Sequence, residues 1–296
     1  MKLGILGTGR MGFAIAEHLL DLGYALTVWN RTPSKTQALI ARGAVLAKTP
    51  AELAKASDVI ISILTDASAI ESAYASSDGV LSTSLAGKIC IEMSTVRPET
   101  QIALAKKVAE QGGAMVECPV GGTVTPARDG KLLGLVGGSD SDVEKVRPLL
   151  EKMCRRVEHV GEIGAGTSLK LAINLPLLVY WQSLAEALSL VGSMKIDKAR
   201  ILDILSDTSG APMILKMRIP AILSALSGQA SAGAHFNIDS IRKDLRTMIE
   251  EASASGYQLP VASAALSSFN EASAAGLGNG DGTELAAWWL EHSCQK

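Results

Sequence analysis

No excess of either charge marks this chain. Lysine and arginine number 28 against 30 acids, a net charge of -2, so neither nucleic acid nor an anionic membrane is expected as a general partner, and any anion must be held locally. Paired cysteines are missing too. Cys90, Cys118, Cys154 and Cys294 lie far apart, with no CxxC and no secretory signal, which reads as reduced thiols in a cytoplasmic protein. His18, His159, His235 and His292 are scattered with no acidic cluster beside them, so no metal site is expected. No apolar run is clean enough for a membrane span. The richest, from Leu171 to Val191, is interrupted by Asn174, Pro176, Gln182 and Glu186 and reads as a buried helix.

What the chain does have is size and pattern. Its 296 residues, 47% of them hydrophobic, suit two domains. The apolar opening MKLGIL runs into Gly7-Thr8-Gly9-Arg10-Met11-Gly12 and then the amphipathic segment Phe13 to Leu22, the strand, glycine turn and helix that cradle a dinucleotide. Gly7 tightens the turn, Gly9 lets a pyrophosphate approach the backbone, and Gly12 packs the helix on the strand. The next strand, Ala25 to Trp29, lacks the terminal acid that selects NAD. It ends in Asn30, Arg31 and Thr32, suited to a ribose 2′-phosphate, with Lys35 adding charge; a surface turn capped by Thr32 before Pro33 is compatible with the same residues. NADP is the expected cofactor.

Apolar strands then alternate with helical segments, a parallel, doubly wound α/β pattern. The strand Asp58 to Leu64 leads into Thr65 and Asp66, and Ile89 to Met93 leads into Ser94 and Thr95. Both ends should line the cofactor crevice, with a helix cap as the plainer use of each. After Ala114 to Cys118, the adjacent Gly121 and Gly122 before Thr123 suggest a close approach to the backbone. Leu132 to Val136 and Val157 to Val160 close the strands, around a helix from about Ser141 to Met153. Beyond Gly166 the spacing is helical throughout, from Ala172–Met194 to Thr283–Glu291, so a Rossmann domain over 1–163 should precede an all-α domain over 164–296 built on a long helix. Gly276, Gly278, Gly280 and Gly282 read as a mobile loop. At the boundary, Gly164 and Gly166 form a loop, Thr167 or Ser168 can cap the helix that follows, and Lys170 and Asn174 stand one turn apart on it, facing the same space. A lone helical lysine is ordinarily a solvated charge; the cofactor motif is what gives this one a reaction to serve.

Together these residues resemble the β-hydroxyacid dehydrogenase family around 3-hydroxyisobutyrate dehydrogenase, and most of all its glyoxylate and succinic semialdehyde reductases. The resemblance rests on the Gly7–Gly12 turn with Asn30 to Thr32, on Met93-Ser94-Thr95, on PVGGTVTPARDG from Pro119, on Gly164 to Asn174, and on FNIDSIRKDLR from Phe236. It implies NADPH-dependent reduction of a small carbonyl compound, with Lys170 as proton donor and Asn174 as its partner. Thr95, Gly121, Gly122 and Thr123 would line the substrate site and Phe236 cover it, while Lys243 with Asp244 would close on the cofactor. It also implies a homo-oligomer, a dimer or tetramer. Two departures stand out. The family usually places Ser-Gly after Pro-Val, where this chain has Gly121, and Pro176 should kink the long helix beside the site. Imine reductases share the architecture but generally replace the lysine; Lys170 argues against that reading, while Gly121 and the apolar Leu175 to Trp181 leave room for it. A non-catalytic dinucleotide-binding module is the third reading.

Overall fold

Short runs of Val, Ile and Leu flanked by glycine or hydroxyl residues become the strands of one sheet in the computed structural model, which describes residues 1–229 and 233–293. In chain order they are β1 (Lys2–Leu6), β2 (Ala25–Trp29), β3 (Val45–Leu46), β4 (Val59–Ser62), β5 (Ile89–Glu92), β6 (Ala114–Glu117), β7 (Val120–Gly121), β8 (Leu132–Gly137) and β9 (Cys154–Gly161). Their spatial order is β3-β2-β1-β4-β5-β6-β8-β7, with β9 beside β8. From β3 across to β6 every pairing is parallel, which requires crossovers, and helices such as Arg10–Asp21, Ala67–Ala75 and Pro98–Glu110 lie between successive strands. Strands covered on both faces carry continuous apolar runs, and Leu3, Ile5, Ile60, Ile61 and Ile91 are fully buried. The order reverses between β1 and β4. Their carboxyl ends therefore border the crevice where such sheets hold ligands.

Past β6 the sheet becomes mixed. β8 runs antiparallel to β6 and β7 and parallel to β9. β7 was not legible as a strand, because its Gly121 and the Gly122 after it carry no apolar signal; it exists by pairing with Leu133 and Gly134. β9 also begins at Cys154, ahead of the expected Val157, through Arg155 and Arg156 on an exposed stretch.

The chain divides into two compact units, Met1–Leu171 and the residues from Ala172 onward. Among the described residues the second is helical throughout, with Lys198–Ser206, Ile214–Leu226, Ile238–Ala254, Pro260–Ala272 and Leu285–His292 following the long helix Ala165–Leu190. That long helix is apolar enough, by length and composition alone, to cross a membrane, although it also carries Lys170, Asn174, Gln182 and Glu186.

Two expectations need correction. The long helix starts at Ala165, not Ala172, because Gly164 turns the chain at φ 102° immediately before it. Thr167 and Ser168 thus lie inside the first turn rather than capping it. Pro176 lies inside this helix, which is one element from Ala165 to Leu190. Finally, Gly276 to Gly282 is no mobile loop. Gly278 and Gly280 accept from the N–H groups of Asp239 and Ile238, Gly282 donates to Phe236, and a Cβ on Gly278 would stand 2.4 Å from Asp239 Oδ2. Glycine serves close approach there. Cys90, Cys118 and Cys154 are free and buried; Cys294 lies outside the described residues.

Candidate active site

The glycine turn has the shape of a dinucleotide cradle. Gly7 adopts φ 98°, and a Cβ on Gly12 would stand 2.0 Å from the Gly7 carbonyl, so any side chain there would drive the helix off the turn. A Cβ on Gly9 would meet nothing within 4 Å, which leaves that side of the backbone open. The first helical bond runs from Phe13 N–H to Gly9, so the N–H groups of Arg10, Met11 and Gly12 have no acceptor within the helix and suit a phosphate. These residues fit a dinucleotide.

At the end of β2 the expected cluster both ties backbone and lines a cleft. Asn30 is used internally: its Oδ1 accepts from Thr8 N–H at 3.1 Å, and its Nδ2 donates to the Thr32 carbonyl at 3.0 Å. Thr8 in turn donates its hydroxyl to the Lys35 carbonyl at 3.3 Å, which ties the glycine turn to the segment after β2. Thr32 makes no side-chain capping bond to the helical turn Pro33–Thr36, though its carbonyl accepts from Lys35 N–H at 3.1 Å. Arg31 lines a cleft of about 490 Å³ with Trp29, Asn30, Lys48, Ser72, Ser76 and Asp78. Lys48, just past the end of β3, escaped the sequence reading because it stands far from any motif.

Further along the carboxyl edge, side chains hold backbone. Leu64 N–H donates to Ser94 Oγ at 2.7 Å, and Ser94 N–H donates to Glu92 Oε1 at 2.6 Å. The Ser62 hydroxyl donates to the other Glu92 oxygen and also meets the Tyr74 hydroxyl at 2.8 Å. Burial pushes the Glu92 carboxyl up to about 7, against the pull of its Ser62 and Ser94 bonds. Thr95, half-buried, follows directly on this fixed Ser94. Asp66 caps the helix Ala67–Ala75 by accepting from Ala69 N–H at 2.8 Å, and Thr65 beside it is exposed.

The carboxyl edge of β6 carries a second buried acid, in register with Glu92. Glu117 Oε1 accepts from Gly164 N–H at 2.7 Å, Gly166 N–H at 2.8 Å and Thr167 N–H at 3.3 Å, while Oε2 accepts from the Thr167 hydroxyl at 2.6 Å. Burial raises this carboxyl above the ordinary range, and the same bonds oppose the rise. Sequence reasoning missed both acids. Lys170, 8% exposed, comes one turn after Gly166. On β7, Gly121 has no positive φ, and a Cβ there would meet Leu133 at an ordinary 3.4 Å, whereas Gly122 sits at φ 125°. Thr123 precedes the helix Val124–Arg128 without a side-chain cap bond.

In the second unit, Asp244 joins two of the expected residues. Its carboxylate accepts from Asn174 Nδ2 at 3.5 Å and pairs with the Lys243 ammonium at 2.5 Å, itself only 3% exposed. Phe236 is half-buried, and its segment is held by buried Asp281, which accepts from the N–H groups of His235 at 2.7 Å and Phe236 at 3.4 Å and faces Arg218 at 3.5 Å.

The glycine turn, its open edge and the helical second unit define the chain as an NAD(P)-dependent oxidoreductase of two units. A family model of the NAD binding domain of 6-phosphogluconate dehydrogenase matches residues 2–161, and one described as NAD-binding of NADP-dependent 3-hydroxyisobutyrate dehydrogenase matches residues 164–289. The chain is 32% identical over 281 residues to glyoxylate/succinic semialdehyde reductase 1 of Arabidopsis thaliana, covering 95% of this chain and 96% of that one. It is 31% identical over 268 residues to the NAD-dependent L-serine dehydrogenase of Pseudomonas aeruginosa, 90% of each. The crystal structure of 3-hydroxyisobutyrate dehydrogenase from Salmonella typhimurium matches with a TM-score of 0.85 at 25% identity, over 97% of this chain and 99% of that one. The chain belongs to the β-hydroxyacid dehydrogenase family.

Proposed function

We propose that this protein reduces a small carbonyl compound with NADPH, with Lys170 as the proton donor. The observation that carries the reading is Lys170 itself, a buried ammonium-bearing residue one turn into a helix whose start is anchored from the strand edge. The 2′-phosphate preference rests on Arg31 and Lys48, which line one cleft together with a single acid, Asp78, and on the lack of an acid at residues 29–32 where β2 ends. When NADPH is bound, its nicotinamide would supply a hydride to the carbonyl carbon. The chain's own part is to receive the charge that results. As the carbonyl oxygen becomes basic, Lys170 Nζ gives it a proton, and the amide of Asn174, one turn on, orients the oxygen or the ammonium without competing for that proton. Thr95 offers a further donor, and the backbone N–H groups around Gly121, Gly122 and Thr123 hold the rest of the substrate. The roles of Phe236 over the substrate and Lys243 at the cofactor, drawn from family resemblance, are proposed with these.

Gly121 supports a substrate larger or less charged than glyoxylate, because the hydroxyl that relatives place there is missing. Oxidation of NADPH, followed with glyoxylate, succinic semialdehyde, larger aldehydes and cyclic imines, tests the reading. Lys170→Ala should bind NADPH as the parent does and lose about a hundredfold to ten-thousandfold in turnover on the best carbonyl, the usual contribution of a positioned acid. Turnover near the parent's, or a preference for imines, would overturn it.

A further inference from the structure

We propose that Glu117 is a positioning residue for the reaction: its buried carboxylate fixes the first turn of the helix Ala165–Leu190 and so presents Lys170 and holds its proton. This rests on the reading of Lys170 as proton donor. Four donors converge on this one carboxylate, the N–H groups of Gly164, Gly166 and Thr167 and the Thr167 hydroxyl, and all belong to the turn that precedes Lys170. Helical side chains lean toward the N-terminus, so the stem of Lys170 passes over positions 166 and 167, the residues that Glu117 grips. The positive end of a helix is a poor place for an ammonium, and a carboxylate seated against that end offsets the penalty.

A local serine or aspartate would cap this helix more cheaply than a buried acid brought in from β6, because burying a carboxylate is costly. The surroundings are nonetheless shaped for it. A Cβ on Gly137 would stand 2.4 Å from Glu117 Oε1, and one on Gly166 would stand 2.3 Å from the Leu135 carbonyl and 3.2 Å from Glu117 Oε1. Two glycines thus clear the space through which the carboxylate reaches the helix.

The test is a cycle of Glu117→Gln, Lys170→Ala and the double variant in the full-length protein, with NADPH affinity by fluorescence, kcat against pH, and amide exchange at residues 164–168. Glutamine keeps the shape and one acceptor but not the charge. Glu117→Gln should lower kcat about tenfold to hundredfold, leave NADPH binding within about twofold, speed exchange in that turn, and move the alkaline limb of kcat to lower pH by about one unit. In the Lys170→Ala background the same change should cost less than about twofold. An equal loss in both backgrounds, or an unchanged pH profile, would show a structural cap only and overturn the inference. Should Glu117→Gln fail to fold, Thr167→Val removes one of the four contacts and should lower kcat several-fold only when Lys170 is present; no such dependence also overturns it. A crippled Lys170→Ala beside a parent-like Glu117→Gln defeats this inference alone, whereas an active Lys170→Ala defeats the reading of Lys170 and this inference together.

Discussion

The two ends of the carboxyl edge are built in opposite ways. At the proposed adenosine end, Arg31 and Lys48 are exposed side chains lining an open cleft, and the polar side chains of Asn30 and Thr8 bond to backbone. At the proposed reaction end, Glu92 and Glu117 are fully buried and bond to the backbone or hydroxyls that set Ser94 and the turn before Lys170. The difference fits what the proposed function asks of each end. Choosing between two cofactors needs a charge that water and ligand can both reach, while aligning a proton donor needs a scaffold that does not move. Exposed charges should therefore alter binding with little effect on stability, and buried acids the reverse.

The largest effect that would sharpen this contrast lies with Glu92. Its folded value of about 7 is raised from 4.5, so the folded state holds the proton more tightly than the unfolded chain. The stability it contributes is complete below the unfolded value and is lost as pH rises through about 7. At about 1.4 kcal/mol per pH unit the loss amounts to about 3 kcal/mol. Glu92→Gln should be free of this term, so urea unfolding of parent and variant from pH 4.5 to pH 8 should show the parent losing that much relative to the variant. Parallel stability curves would remove Glu92 from the buried class. Next in size is Arg31. Arg31→Ala should weaken NADPH binding by about 1.5 to 3 kcal/mol, the worth of a charge-assisted contact, with NADH binding and melting temperature unmoved. Equal affinity of the parent for both cofactors would break the assignment of the adenosine end. Gly121→Ser carries the smallest effect. The extended backbone and the ordinary contact with Leu133 admit a serine without strain. The added hydroxyl should improve glyoxylate or succinic semialdehyde KM by about 1.5 kcal/mol at most and impair larger aldehydes. If the parent already reduces the small acids efficiently and the serine gains nothing, backbone donors alone hold the carboxylate.

The sequence announced whatever is local. β1, the glycine turn, the helix Arg10–Asp21 and β2 follow one another along the chain, and their apolar spacing and glycine pattern can be recognised without knowing what packs on them. Lys170 and Asn174 could be paired because four residues make one helical turn. The parts that escaped notice depend on distant neighbours. Glu92 and Glu117 each end a short strand before a turn, where an acid ordinarily meets water, and only the parallel register of β5 with β6 sets them side by side under cover. The start of the long helix was placed late because its capping partner is not in the segment at all. The glycines at 276 to 282 were misread for a related reason: the residue that permits motion also permits contact, and only the bonds from Asp239 and Ile238 show which use applies.

The grip of Glu117 on Gly164, Gly166 and Thr167 also bears on how the chain acquires its shape. A helix generally carries the means of its own nucleation, since the first turn and its cap lie within a few residues of each other. Here the acceptor is 47 residues upstream of the first donor. The entropy of closing that long loop must be met before the first turn gains its partner, as it must for a pair of distant strands. The start of this helix thus behaves in folding as an extension of the sheet, and a cut between residues 163 and 164 would leave its donors on one fragment and their acceptor on the other.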